Sequence, residues 1–259
     1  MRIPYYHVHA FTSRVFGGNP AGVCLLDGPL PDALMQQIAE ENNLSETAFA
    51  HPQGEGYALR WFTPTMEVDL CGHATLATAH VLLHERAAVG TRVAFESASG
   101  LLVATMRGDQ IELDFPSRSP QVSSPPAALV KGLGSHPKSV WKSRDYMAVY
   151  DSAAEVAALS PDLKSLLELD GLGVIATAAG TDCDFVSRFF APKAGIAEDP
   201  VTGSAHCSLI PYWAERLGKN EMFARQISKR GGELRCILRG DRVGIAGRAI
   251  TYSRGELEV

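Results

Sequence analysis

Cysteine is scarce in this chain of 259 residues. The five present, at positions 24, 71, 183, 207 and 236, include no Cys-x-x-Cys pair. An odd, widely spaced set argues against a disulfide framework or a zinc knuckle and for a reducing compartment. Positive charge is also short: 24 Lys and Arg face 29 Asp and Glu, the net charge is −5, and basic residues form no run. That balance carries no electrostatic footprint for nucleic acid. No stretch approaches the roughly 18 unbroken apolar residues of a membrane helix. The N-terminus, MRIPYYHVHAFTS, alternates like a strand and lacks the charged start of a secretory leader. The expected location is the cytoplasm, with neither nucleic acid nor membrane as partner. What remains is 46% hydrophobic and 20% charged, the profile of a globular protein long enough to bury a core without staples.

Periodicity predicts strands over 3–10 and 21–26, a helix over 31–41, strands over 46–50 and 57–62, and an apolar helix over 72–86. A meander follows at 91–96, 101–107 and 110–115, with Gly108-Asp109 as a hairpin signal. Residues 115–138 are rich in Pro, Ser and Gly and read as a linker or lobe boundary. The second half offers strands at 146–150, 174–178 and 184–190, helices at 161–169 and 203–217, and three closing strands near 222–229, 233–239 and 242–250. Pro211 predicts a kink or break in the helix that contains it.

The halves echo each other. Phe62-Thr-Pro64 precedes Gly72-His73-Ala74 by 8 residues, counted from Pro to Gly, and Phe190-Ala-Pro192 precedes Gly203-Ser204-Ala205 by 11. With a strand before and a helix after in both, the echo predicts two similar lobes facing each other. The boundary falls at 118/119: an N-terminal lobe over 1–118 and a C-terminal lobe over 119–259, with the last strand free to cross back.

Each glycine opens a helix whose first N–H groups and positive dipole end suit an anion. The pair, at Gly72-His73 and Gly203-Ser204, suggests a carboxylate held in the cleft between lobes, with Asp199 just upstream. Alone, either glycine reads as a tight helix entry. Glu46 opens an apolar strand, where lost solvation lets a carboxyl hold a proton near neutral pH; alone it reads more often as a solvated strand-edge residue. Other constellations fail. Gly171-Leu-Gly173-Val-Ile-Ala176 precedes a strand where a dinucleotide loop should follow one. No Walker loop or Gly-x-Ser-x-Gly elbow occurs, so Ser204 with His206 makes no hydrolytic pair. His73 and His84 lie roughly 16 Å apart along a helix, too far to share a metal. His80 and His84 lack further ligands and read as buried or capped, and no metal site is expected.

FGGNPAGV (16–23), NLSETAF (43–49), CGHATL (71–76) and EDPVTGSAHC (198–207) resemble the PhzF-like proteins of phenazine biosynthesis, in order and over nearly the whole chain. The resemblance implies an α+β diaminopimelate-epimerase-like fold: two pseudo-symmetric lobes, each a curved mixed or antiparallel sheet wrapped around a central helix. It implies a homodimer without a cofactor. It makes Glu46 the proton shuttle, with His73 and Asp199 as catalytic companions and Ser45, Gly72, Gly203 and Ser204 binding the substrate. The related epimerases carry a cysteine at each helix mouth. Here Cys71 stands at the first and Thr202 at the second, which disfavours a two-cysteine racemase and leaves Cys71 structural or a bystander. The implied activity is a proton shift on a small carboxylate, of the dihydro-hydroxyanthranilate type. The alternatives are an epimerase or racemase of an amino-acid-like substrate, or a small-acid binding protein with a relic site.

Overall fold

The computed structural model describes residues 1–85 and 90–259. Two compact units divide the chain: Met1–Phe115 together with Ile245–Val259, and Pro116–Gly244.

The first unit opens with β1 (Arg2–Ala10), β2 (Asn19–Leu25), α1 (Asp32–Asn42), β3 (Glu46–Gln53) and β4 (Gly56–Phe62). The short β5 (Glu67–Val68), α2 (Gly72–His80), β6 (Arg92–Ser97), β7 (Gly100–Arg107) and β8 (Gln110–Pro116) complete its N-terminal run. β1 and β2 pair antiparallel, β2 and β3 parallel with Ala21 opposite Glu46, and β3 and β4 antiparallel. α2 packs against β1, β2, β3 and β7, and every residue from Gly72 to Ala79 is buried. A helix covered all round must be slim and must satisfy its own polar groups. GHATLATAH meets both demands: its side chains are mostly small, and Thr75 and Thr78 donate their hydroxyls to the Cys71 and Ala74 carbonyls at 2.6 and 2.8 Å. The predicted helix over 72–86 changes character at Val81, where a π-helical turn runs to Glu85. Its last predicted residue, Arg86, lies outside the described residues.

The second unit holds β9 (Gln121–Ser123), α3 (Ala127–Leu133), β10 (Ser139–Lys142), β11 (Tyr146–Val149), α4 (Ala153–Ala158) and α5 (Leu163–Leu166). There follow β12 (Val174–Ala179), β13 (Phe185–Ala191), β14 (Ile196–Asp199), α6 (Gly203–Leu217), β15 (Glu221–Gln226) and β16 (Gly232–Arg239), while β17 (Arg242–Gly247) runs across the division, its last three residues belonging to the first unit. α6 packs on β15 and β16, and Trp213 of this helix stacks on Phe185 while its indole N–H donates to Thr177 at 3.0 Å. The last strand, β18 (Ala249–Glu258), pairs antiparallel with β1 along its whole length, from Arg2 opposite Glu258 to Ala10 opposite Ala249.

The class is the mixed one expected, strands dominating with a few helices. Four local expectations are corrected. Residues 115–138 are not a bare linker: β9 and α3 lie there, the helix ended by Gly134 at φ 66°. The helix over 161–169 shrinks to the single turn Leu163–Leu166. The closing strand over 242–250 is two strands separated at Arg248. Pro211 does not break α6, which runs on to Leu217. Proline removes the N–H that would bond the carbonyl four residues back, at Cys207, and the Arg118 backbone N–H takes that carbonyl instead, at 2.9 Å. Among the described residues no helix is long and apolar enough to cross a membrane.

Candidate active site

In the first unit, α1 ends at Asn43, whose left-handed φ of 48° suits asparagine better than a branched residue. That turn delivers half-buried Ser45 and then Glu46, which opens β3 with 8% exposure. The buried Glu46 carboxylate meets a second element, the start of α2. His73, buried at 2%, brings Nε2 to 3.2 Å from Glu46 Oε2. The atoms are close but off the line of a formed N–H···O bond, a looseness common before substrate closes a site. Burial drives the His73 pKa down to about 3, against a smaller opposing pull from the Pro20 carbonyl, so the ring is neutral at physiological pH.

The other face of the ring is occupied. Asn19 Nδ2 lies 3.0 Å from His73 Nδ1, and Cys71 Sγ lies 3.5 Å from the same nitrogen. Asn19 is fully buried at the head of β2, directly after a turn that only glycine can make. Gly18 has φ +60°, and a β-carbon there would sit 2.1 Å from the Ala10 carbonyl oxygen.

Glu46, Cys71 and His73 place one oxygen, one sulfur and one nitrogen within 4.8 Å of one another, a donor set of the kind zinc accepts. The imidazole divides itself differently, however. Nε2 faces Glu46, whereas Nδ1 faces Cys71 and Asn19. The trio reads as a row of polar groups on the two sides of one ring, not a shared ligand sphere.

In the second unit, β14 ends at Asp199 and α6 begins at Gly203. Between them Thr202 donates its hydroxyl to Asp199 Oδ2 at 2.5 Å. Gln226, 1% exposed at the end of β15, clamps this turn. Its Oε1 accepts from the Thr202 backbone N–H at 2.8 Å, and its Nε2 donates to the Asp199 carbonyl at 2.7 Å and to Thr202 Oγ1 at 3.0 Å. His206 is wholly buried and donates Nδ1–H to the Thr202 carbonyl at 2.8 Å. Gln226→Ala is expected to lower unfolding stability by about 3 kcal/mol, at about 1 kcal/mol per bond; urea denaturation checks it.

Neither α2 nor α6 has a side-chain hydrogen bond capping its first turn. The leading N–H groups at Gly72-His73 and Gly203-Ser204 are therefore not spent on a capping side chain, as a helix-start anion site requires. Of the residues singled out in the sequence, Ser45, Glu46, Gly72 and His73 belong to the first unit, with Glu46 and His73 in contact. Asp199, Gly203 and Ser204 belong to the second. Sequence reasoning missed Asn19 and Gln226. Asn19 sits inside the FGGNPAGV motif, which was a signal; Gln226 lies 24 residues beyond the turn it clamps, with no local signal at all. Cys71 touches His73, which fits the structural of its two readings and not the bystander. His80 is half-buried, but its predicted companion in burial, His84, is exposed.

Comparison with known proteins is consistent across the chain. The family model for phenazine biosynthesis-like proteins (PhzC-PhzF) matches residues 8–255. An uncharacterized isomerase of Halalkalibacterium halodurans is 50% identical over 99% of each chain. An uncharacterized isomerase of Pseudomonas aeruginosa is 50% identical over 100% of both, and the human phenazine biosynthesis-like domain-containing protein is 42% identical over 99% of both. Among solved structures, a PhzF-family protein of Enterococcus faecalis superposes with a TM-score of 0.95 at 47% identity, covering 100% of each chain. A hydroxyproline epimerase of Agrobacterium vitis shares the fold, with a TM-score of 0.64 at 13% identity over 99% of this chain and 92% of that one.

Proposed function

This chain belongs to the phenazine biosynthesis-like protein family, and on that premise we propose that it is an isomerase shifting a proton on a small carboxylate substrate. The observation that carries the reading is the buried Glu46 carboxylate with the neutral His73 ring 3.2 Å away. Ionised Glu46 takes a proton from a carbon activated by its neighbours, the electron pair staying in the substrate as a conjugated anion. The protonated carboxyl exchanges that proton with solvent and then delivers a proton to a different carbon. Bonds and charges balance and no atom changes oxidation state overall, so the proposal gives both steps to Glu46 and names no cofactor.

His73 is too weakly basic to carry the proton itself. It acts as a neutral donor, steadying the Glu46 carboxylate before transfer and releasing it after. Ser45, Gly72, Gly203 and Ser204 are assigned to substrate binding through hydroxyls and helix-start N–H groups. Asp199, already accepting from Thr202, is assigned to orienting a polar substituent of the substrate. The Thr202 hydroxyl is spent on Asp199 and is too weak an acid to serve as the second base of a two-base racemase. A single base supports isomerisation over racemisation by opposed groups.

The test is incubation in deuterated water with dihydro-3-hydroxyanthranilate, proline and trans-4-hydroxy-L-proline in parallel, read by mass. A one-deuteron gain with a moved double bond supports the isomerase. A gain with inversion at one centre supports epimerisation. Retention of an unexchanged small acid by the purified protein favours a binding role.

A further inference from the structure

We propose that Asn19 is a positioning residue that sets the tautomer of His73, holding the ring proton on Nε2, the nitrogen that faces Glu46. The proposal rests on the reading of Glu46 and His73 given above and adds to it a residue that acts through the His73 ring.

A neutral imidazole carries one proton, and what surrounds its nitrogens decides where. Two groups face Nδ1, the Asn19 amide nitrogen at 3.0 Å and the Cys71 thiol at 3.5 Å. Both can donate, and an amide NH2 cannot accept. Nδ1 must then be the acceptor. Nε2 faces a carboxylate oxygen at 3.2 Å, which rewards an N–H on that side and repels a lone pair. The Pro20 carbonyl is near the ring and favours a proton on the nitrogen that it faces, the one contact here that does not follow from Asn19, Cys71 or Glu46. Asn19 and Cys71 on one side and Glu46 on the other therefore specify the same tautomer.

The rest of the site is built to hold this arrangement. Asn19 is fully buried and lies opposite Ala10 in the β1–β2 ladder. The Gly18 turn before it admits no side chain. An amide fixed in this way can do what water or a mobile side chain could not: hold its NH2 edge on Nδ1 throughout the proton transfer. Were the proton on Nδ1, the Nε2 lone pair would face Glu46 and hinder the carboxylate form that takes the substrate proton.

The test is nitrogen NMR of protein carrying 15N-histidine, with the His73 signals assigned by their loss in His73→Gln. Near pH 7 the wild type is expected to show a protonated Nε2 and a bare Nδ1. Asn19→Asp places a carboxylate on Nδ1; it is expected to move the proton to Nδ1 and raise the ring pKa by about 1 to 3 pH units. A wild-type spectrum with the proton on Nδ1 overturns the proposal, as does an unchanged tautomer in folded Asn19→Asp. If that variant does not fold, the wild-type spectrum decides alone. No substrate is present, so the outcome is independent of whether Glu46 carries a proton in turnover; failure of that reading would show instead as exchange retained by Glu46→Gln.

Discussion

Glu46→Gln is expected to lower proton exchange into substrate by about 1,000-fold, within the range for removal of a general acid–base, while the melting temperature stays close to wild type. The two halves of the expectation have separate causes. Glutamine keeps the length and planarity of the side chain, so the packing of the β3 start against α2 is preserved, and it can still accept from His73. It cannot take up a proton from carbon, and His73, held at about 3, is too weakly basic to do so in its place. Loss should fall on kcat, with KM changed little, because binding is assigned to the helix starts and to Ser45. A loss confined to KM would mean that Glu46 holds the substrate instead of working on it.

Acid should destabilise the fold well before the carboxylates are protonated. Burial holds His73 at about 3 and His206 at about 4, against 6.5 for an unburied histidine, with the Pro20 and Thr202 carbonyls opposing weakly. Above 6.5 both native and unfolded chains carry neutral rings and the fold keeps its full stability. Below it the unfolded chain binds protons that the native chain refuses, and stability is lost as the pH falls toward the native values. At pH 5 the difference amounts to about 2 kcal/mol per histidine, or about 4 kcal/mol for the pair. His80, lowered to about 4 by burial and by its neighbour His84, acts in the same direction. Urea unfolding at pH 7 and pH 5 measures the loss. His206→Asn, which keeps a donor for the Thr202 carbonyl, should remove about half of the share due to His73 and His206. Equal stability at both pH values would contradict the burial of neutral rings.

Those two rings also show where a sequence can be read and where it cannot. Glu46 at a strand start, Gly72 and Gly203 at helix starts, and α6 from Gly203 to Leu217 were legible because each depends on local pattern: an apolar run, a glycine at the entry, Gly218 at the exit. The family likeness rested on four motifs in order. What escaped depends on distant partners. Asn19 acquires its role from a ring 54 residues away, and Gln226 from a turn 24 residues earlier. Pro211 read as a kink or break because its rescue, the Arg118 N–H on the Cys207 carbonyl, comes from elsewhere in the chain. Residues 127–133 were hidden by flanking prolines and serines, although the segment itself, AALVKGL, suits a helix well.

The most direct measurement is deuterium uptake from heavy water into the carboxylate that the wild type turns over, followed beside its binding to Glu46→Gln. A proton carried by Glu46 requires one deuteron at one carbon with the wild type, and an undeuterated ligand bound as tightly by the variant. Uptake by Glu46→Gln at the wild-type rate would place the proton on some other group.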